Sequence, residues 1–254
     1  MNSVVFRGMP DQGGSNFTDV LKDLRSWYGG EVVLSTWQGV ELSEESRSML
    51  DTVLELQDPG TLEDVANPSI VQLKRQIYAA REGVRVASGD KVLLTRTDIS
   101  HKQNLFNLVQ ENHSGSNYKV FSGRVIASSI MTIDPDSGYG PARDRFFRVC
   151  DWFQCGFKED IVKFTDVLEE SQVHKKSGCC MEQLWFLSCF NKFTGYNFHI
   201  NSIEQHMDCC LEVMVQNFRL INTTGFNAGK WKSKTIESIY LSPEKCELLY
   251  LRSI

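Results

Sequence analysis

Short apolar runs alternate with amphipathic stretches along most of the chain, and each run ends in a residue that breaks the pattern. Ser3-Val4-Val5-Phe6 is too short for a helix and is followed by Arg7-Gly8 and Gly13-Gly14-Ser15, the signature of a strand leading into a Gly-rich loop. Phe17, Val20, Leu21, Leu24 and Trp27 then recur at helical spacing until Gly29-Gly30 stops them. Glu31-Val32-Val33-Leu34-Ser35-Thr36-Trp37 has the composition of a second buried strand. Strand, helix, strand in this order predicts a right-handed parallel crossover.

From Leu42 to Asn67 the pattern is less regular, with a turn at Asp58-Pro59-Gly60. Ile70, Leu73, Ile77, Ala80 and Val84 predict a helix entered through Asn67-Pro68, and Lys91 to Leu94 the next strand. Arg124 to Ser129 is a further strand, followed by a polar loop from Asp134 to Arg145. Asp151-Trp152-Phe153-Gln154-Cys155-Gly156 leads into a helix near Lys158 to Leu168. Beyond that, Met181, Leu184, Trp185 and Leu187 form an apolar stripe, and Ile203 to Met214 a second. The expectation is an α/β fold with a mostly parallel sheet and flanking helices. Residues 1–168 are expected to form its ligand-binding α/β core, and residues 169–254 a helical C-terminal part.

Composition narrows the class. The 254 residues are 41% hydrophobic and 23% charged, as in an ordinary globular protein, and the formal net charge of −5 gives no support for broad electrostatic binding to nucleic acid. No apolar run approaches a membrane span and no signal peptide opens the sequence, so a cytoplasmic protein is expected. All 8 cysteines follow position 149 and include the adjacent pairs Cys179-Cys180 and Cys209-Cys210. His206 and His174 lie near these pairs, but there is no Cys-x-x-Cys pair, and reduced, mostly buried thiols are expected in preference to structural zinc.

The glycines after the first strand fit neither the Walker sequence nor the dinucleotide Gly-x-Gly-x-x-Gly spacing. What remains is chemistry at strand ends. Arg7-Gly8 closes the first strand and Ser35-Thr36-Trp37 the second, both directed into the crevice where an open α/β sheet binds ligands. Backbone amides and the hydroxyls of Ser35 and Thr36 suit a base and ribose; Trp37 either walls the base or packs beneath the loop. Lys91 to Leu94 runs into Thr95-Arg96-Thr97-Asp98. Asp98 is placed either to hold Mg2+ or Mn2+ against a diphosphate or to cap a turn. Arg96 and Arg75 are placed to pair with phosphate directly.

Asp151 precedes an aromatic pair, where it serves as a general base or as a cap. Glu182 stands near the start of a helix, where it acts as a general base or answers the helix dipole. Lys230, Lys232 and Lys234 flank Trp231, either to close over a departing diphosphate or as a solvated loop.

Leu34-Ser35-Thr36-Trp37-x-Gly39, Asp58-Pro59-Gly60, Arg75-Gln76 and Thr95-Arg96-Thr97-Asp98 follow one another in order, and Asp151-Trp152-Phe153 and Gly156-x-Lys158-Glu159-Asp160 continue the series. This ordered set resembles the WavE lipopolysaccharide-synthesis family of glycosyltransferases, over most of residues 3 to 190. The resemblance implies a nucleotide-sugar transferase of the GT-A type and places Arg75, Gln76, Arg96 and Asp98 in the donor site. It also implies that the segment around Asp98 stands where such enzymes carry an Asp-x-Asp metal motif, here with a single carboxylate. The implied partners are a nucleotide-diphosphate sugar and a surface-glycan acceptor. The alternatives are a viral-type transferase that sugars hydroxymethylated pyrimidines in DNA, using Arg143, Arg145 and Arg148 on phosphate, and a non-catalytic nucleotide-sugar-binding module.

Overall fold

The chain is described by a computed structural model over residues 1–10, 16–61, 71–129, 132, 147–167, 180–196, 198, 207–222 and 241–252. Its centre is a seven-stranded sheet: β1 (Asn2–Arg7), β2 (Glu31–Trp37), β3 (Thr52–Leu56), β4 (Lys91–Arg96), β5 (Val125–Ser128), β6 (Phe153–Phe157) and β7 (Phe218–Ile221). The spatial order is β3-β2-β1-β4-β6-β5-β7. The strands from β3 to β4 are parallel, β6 runs antiparallel to both β4 and β5, and β7 is parallel to β5. The mostly parallel α/β sheet expected from the sequence is thus formed.

The helices, among the described residues, are α1 (Phe17–Arg25), α2 (Glu44–Ser48), α3 (Leu73–Val86), α4 (Lys158–Thr165), α5 (Met181–Thr194), α6 (Met207–Asn217) and α7 (Pro243–Leu251). None is long and apolar enough to cross a membrane among the described residues. Successive strand residues point to opposite faces, so continuous apolar strands supply two cores at once. Val5, Val33, Val92, Leu94, Val125 and Ala127 pack with α3 to α7 on one face. Val4, Phe6, Val32, Leu34, Leu93, Ile126 and Phe153 pack with α1 on the other.

Two segments form strands that the periodicity leaves undetected. Thr52–Leu56 lies in the stretch from Leu42 to Asn67 and edges the sheet beside β2. Phe153–Phe157, read as a lead into α4, is an interior strand between β4 and β5. The later part of the chain is not purely helical either, since β7 joins the same sheet.

Helix α3 sits close against β1 and β2 because Gly83 has no side chain. A Cβ there meets Val5 Cγ1 at 2.7 Å and Ser35 Cβ at 2.9 Å. That close seating brings the first turns of α3 over the carboxyl ends of β1 and β2.

The cysteines Cys150, Cys155, Cys180, Cys189, Cys209, Cys210 and Cys246 are free thiols, most of them buried. Burial raises the thiol pKa of Cys150, Cys155 and Cys189 well above the ordinary value and keeps them protonated. Reduced thiols are what the sequence leads one to expect. His174, Cys179 and His206 lie outside the described residues.

Candidate functional site

Strand order reverses direction at β1: β2 and β3 lie to one side and β4 to the other. The carboxyl ends of β1 and β4 therefore part at a switch point, where an open α/β sheet leaves a crevice. A cavity of about 480 Å3 occupies it, large enough for a nucleotide-sized ligand. Its walls carry three arginines, Arg7, Arg75 and Arg96, two aspartates, Asp58 and Asp98, and Trp37.

Arg7, the last residue of β1, is 3% exposed. It donates to Gln76 Oε1 at 2.5 Å and to the Asp151 carbonyl oxygen at 2.6 Å, with Asp151 Oδ2 at 3.4 Å. Its guanidinium lies 5.1 Å from the centre of the Trp185 ring on α5. Among the described residues the Nε atom has no hydrogen-bond partner. Burial pulls the Arg7 pKa below its ordinary value; Asp151 opposes that effect and Arg96 adds to it. Gly8 follows with φ of +103°, a conformation open to glycine, and its N–H donates to the Ser35 carbonyl at 3.1 Å. The chain thereby turns away from the sheet immediately after Arg7 has been delivered.

Arg96 ends β4, and the turn after it brings Asp98 back alongside. Arg96 Nε donates to Asp98 Oδ1 at 2.9 Å and Nη2 to Asp98 Oδ2 at 2.7 Å, a two-pronged pair. Arg96 Nη1 lies 3.9 Å from Asp151 Oδ2. Burial acts to lower the Arg96 pKa, but the bond to Asp98 and the charges of Asp151 and Asp98 outweigh it, so the net shift is upward. Asp151 touches both guanidiniums while only 6% exposed itself. It stands on the buried side of the crevice and holds the two cations together.

The outer wall is different in character. Arg75, in the first turn of α3, donates to Asp58 through Nε at 2.8 Å and Nη2 at 2.5 Å, and Asp58 also accepts from the Gly60 N–H at 2.9 Å. Both side chains are substantially exposed, at 31% and 43%. Gln72 and Gln76 flank Arg75, so the positive end of the α3 dipole faces the crevice together with these donors.

The structure thus brings together Arg7, Trp37, Arg75, Gln76, Arg96 and Asp98 on one cavity, with Asp151 behind them. Ser35 and Thr36 are almost wholly buried, do not line the cavity, and have hydroxyls without a hydrogen-bond partner among the described residues. Glu182, in the first turn of α5, lies 3.9 Å from Arg148 and does not line the cavity. It stands one turn before Trp185, on the helix face that packs toward Arg7. Arg143, Arg145, Lys230, Lys232 and Lys234 lie outside the described residues.

Asp58 enters the site from a position read as a turn and as part of the ordered series, not as a site residue. Val53, Leu54 and Leu56, clustered just ahead of the Asp58-Pro59-Gly60 turn, are the signal that places it near a strand end. Trp185, read as part of an apolar stripe, is the ring beneath Arg7.

The expected divalent ion requires carboxylate oxygens open to it. Both Asp98 oxygens lie in the Arg96 fork, and Asp151 Oδ2 faces Arg7 and Arg96. Among the described residues no three His, Cys, Asp or Glu side chains gather into a ligand set. These donors do not fit the ion as they stand.

The family model for WavE lipopolysaccharide synthesis matches residues 7–231. Among solved structures, S. aureus TarS 1-349 in complex with UDP-GlcNAc is 16% identical with a TM-score of 0.42, the match covering 75% of this chain and 53% of that one. The galactosyltransferase LgtC, in complex with donor and acceptor sugar analogs, is 13% identical with a TM-score of 0.36, covering 79% and 68%. A nucleotidyl transferase from Methanothermobacter thermautotroptrophicus is 11% identical with a TM-score of 0.40, covering 83% and 97%. The match spans only 33% of a longer TarS chain. Curated protein sequences give no match.

Proposed function

The chain belongs to the WavE lipopolysaccharide synthesis family, and from that premise we propose that it is a glycosyltransferase. It moves a sugar from a nucleotide-diphosphate donor to a hydroxyl of a surface glycan. The observation that carries the reading is the crevice at the sheet's switch point, where three arginines converge on one cavity beside Trp37.

In this reading the donor diphosphate lies against Arg7 and Arg96. A fixed pair of guanidiniums stabilises negative charge as the bond to the anomeric carbon breaks, and costs little reorganisation because Asp151, Gln76 and Trp185 already hold them. The base and ribose extend toward Trp37, Asp58 and Arg75. Carboxylate and guanidinium at that end offer an acceptor and donors to the nucleoside's polar edges.

Of the two carboxylates considered for the acceptor hydroxyl, Asp151 is engaged with both guanidiniums and acts by positioning them. Glu182 is the one we assign as general base, one helical turn from Trp185. Arg148, the described member of the arginine cluster considered for DNA, lies 3.9 Å from Glu182.

The test is incubation with a series of nucleotide sugars and glycan acceptors while nucleotide release is followed. The reading expects turnover with one donor, and a loss of about a hundredfold or more in Glu182→Gln with donor affinity retained. Tight binding of one donor without turnover of any assigns the chain instead to non-catalytic nucleotide-sugar binding. Modification of hydroxymethylated DNA, with no glycan accepted, identifies the other acceptor class.

A further inference from the structure

We infer that Asp98 is an internal counter-anion, which occupies at Arg96 the place that a donor phosphate takes, and that it is not a metal ligand. The inference rests on the crevice being a nucleotide-diphosphate site and names how that site meets the charge. A carboxylate held by guanidinium through two parallel N–H bonds has the geometry with which guanidinium holds phosphate. Arg96 and Asp98 both line the cavity, so the pair is presented to the ligand and not sealed beneath it. Asp98 is only two residues from Arg96, across the turn that ends β4, so the carboxylate is always at hand when the cavity is empty.

Release of Asp98 does not strand Arg96. Asp151 Oδ2 lies 3.9 Å from Arg96 and 3.4 Å from Arg7, on the buried side, and remains as their shared counter-charge. A phosphate that arrives from the open side meets two guanidiniums already fixed in place. Asp98 accordingly lowers anion affinity in the resting protein, and its removal raises it. A metal ligand has the opposite sign, because its loss removes the cation that bridges to phosphate.

The test is calorimetric titration of the whole protein with UDP and, separately, with inorganic pyrophosphate, in EDTA and then with excess Mn2+. The inference expects both probes to bind in EDTA with little change on adding Mn2+. Asp98→Asn should bind each probe about tenfold more tightly, equal to about 1.4 kcal/mol, and Arg96→Gln more weakly than wild type. It is overturned if binding requires Mn2+ and Asp98→Asn weakens it. It is equally overturned if neither probe binds wild type or Asp98→Asn in EDTA. Should Asp98→Asn fail to fold, the wild type decides: Mn2+-independent affinity supports the inference and Mn2+-dependent affinity overturns it. Tightening in Asp98→Asn without turnover of any nucleotide sugar leaves the counter-anion in place and removes the transferase reading.

Discussion

Arg7 at the end of β1 lies with its guanidinium 5.1 Å from the centre of the Trp185 ring, which ties helix α5 to the floor of the crevice. Trp185 is itself fixed: its Nε1–H donates to the Phe164 carbonyl at 2.7 Å, and its ring stacks on Phe164 at 5.2 Å. A buried cation over an aromatic face gains up to about 2 kcal/mol when desolvated. Trp185→Leu removes that contact and leaves a cavity, and it should destabilise the fold by about 3 kcal/mol in urea unfolding. Trp185→Phe keeps a ring under Arg7 and should fold, with a smaller loss of stability and donor affinity weakened severalfold. Unchanged donor affinity in a folded Trp185→Phe would deny the ring its part in seating Arg7.

Arg7→Lys tests whether the cation at the end of β1 acts by shape as well as charge. An ammonium cannot reach Gln76 Oε1 and the Asp151 carbonyl in the planar fork that arginine uses. One of those acceptors loses its partner, at a cost of about 1–3 kcal/mol where it is the buried Asp151 carbonyl. Stability should fall by that amount and UDP affinity with it, even though the charge is conserved. Equal affinity in the lysine variant would reduce Arg7 to a point charge.

The acid side of the stability profile should carry the mark of His101. The ring is buried, its Nε2 lies 2.8 Å from Thr95 Oγ1, and burial pushes its pKa down to about 3 from 6.5. Above pH 6.5 the ring is neutral in folded and unfolded chains, so it adds no pH dependence there. Between pH 6.5 and about 3 the unfolded chain takes up a proton that the folded chain refuses, and stability falls as pH falls, by about 1.4 kcal/mol per pH unit from this group. Urea midpoints from pH 7 to pH 4 for wild type and His101→Gln check it: the wild-type slope should be steeper by about that amount.

Much of this was legible in the chain itself. Ser3 to Phe6, Glu31 to Trp37 and Lys91 to Leu94 read as strands because buried parallel strands are apolar on both faces, and the strands they form end in Arg7, Trp37 and Arg96 on the crevice. Phe153–Phe157 escaped because Gln154 and Gly156 interrupt its apolar run, and antiparallel pairing with β4 and β5 supplies what local pattern does not. The pairing of Arg96 with Asp98 was equally hidden. Spacing shows a cation and a carboxylate near one strand end, but only the turn's geometry turns them toward each other. Trp185 and Arg7 are far apart in sequence, and no periodicity joins a strand terminus to a helix face.

The outer pair, Arg75 and Asp58, should separate binding from stability. Both side chains are open to solvent, at 31% and 43%, and an ion pair in that setting is worth about 0–1 kcal/mol. Asp58 keeps the bond from the Gly60 N–H when Arg75 is removed, so the turn after β3 retains its shape. Arg75→Ala should therefore leave the urea midpoint nearly unchanged. Donor binding should respond differently, because Arg75 lines the cavity in the first turn of α3, where a cation and the helix dipole act on the same ligand. UDP affinity is expected to fall by about tenfold at low salt, and the gap to wild type should narrow as salt screens the exposed cation. Calorimetry at two ionic strengths measures both effects. An affinity equal to that of wild type at low salt would place the nucleotide away from α3 and confine the ligand to the Arg7 and Arg96 end of the crevice.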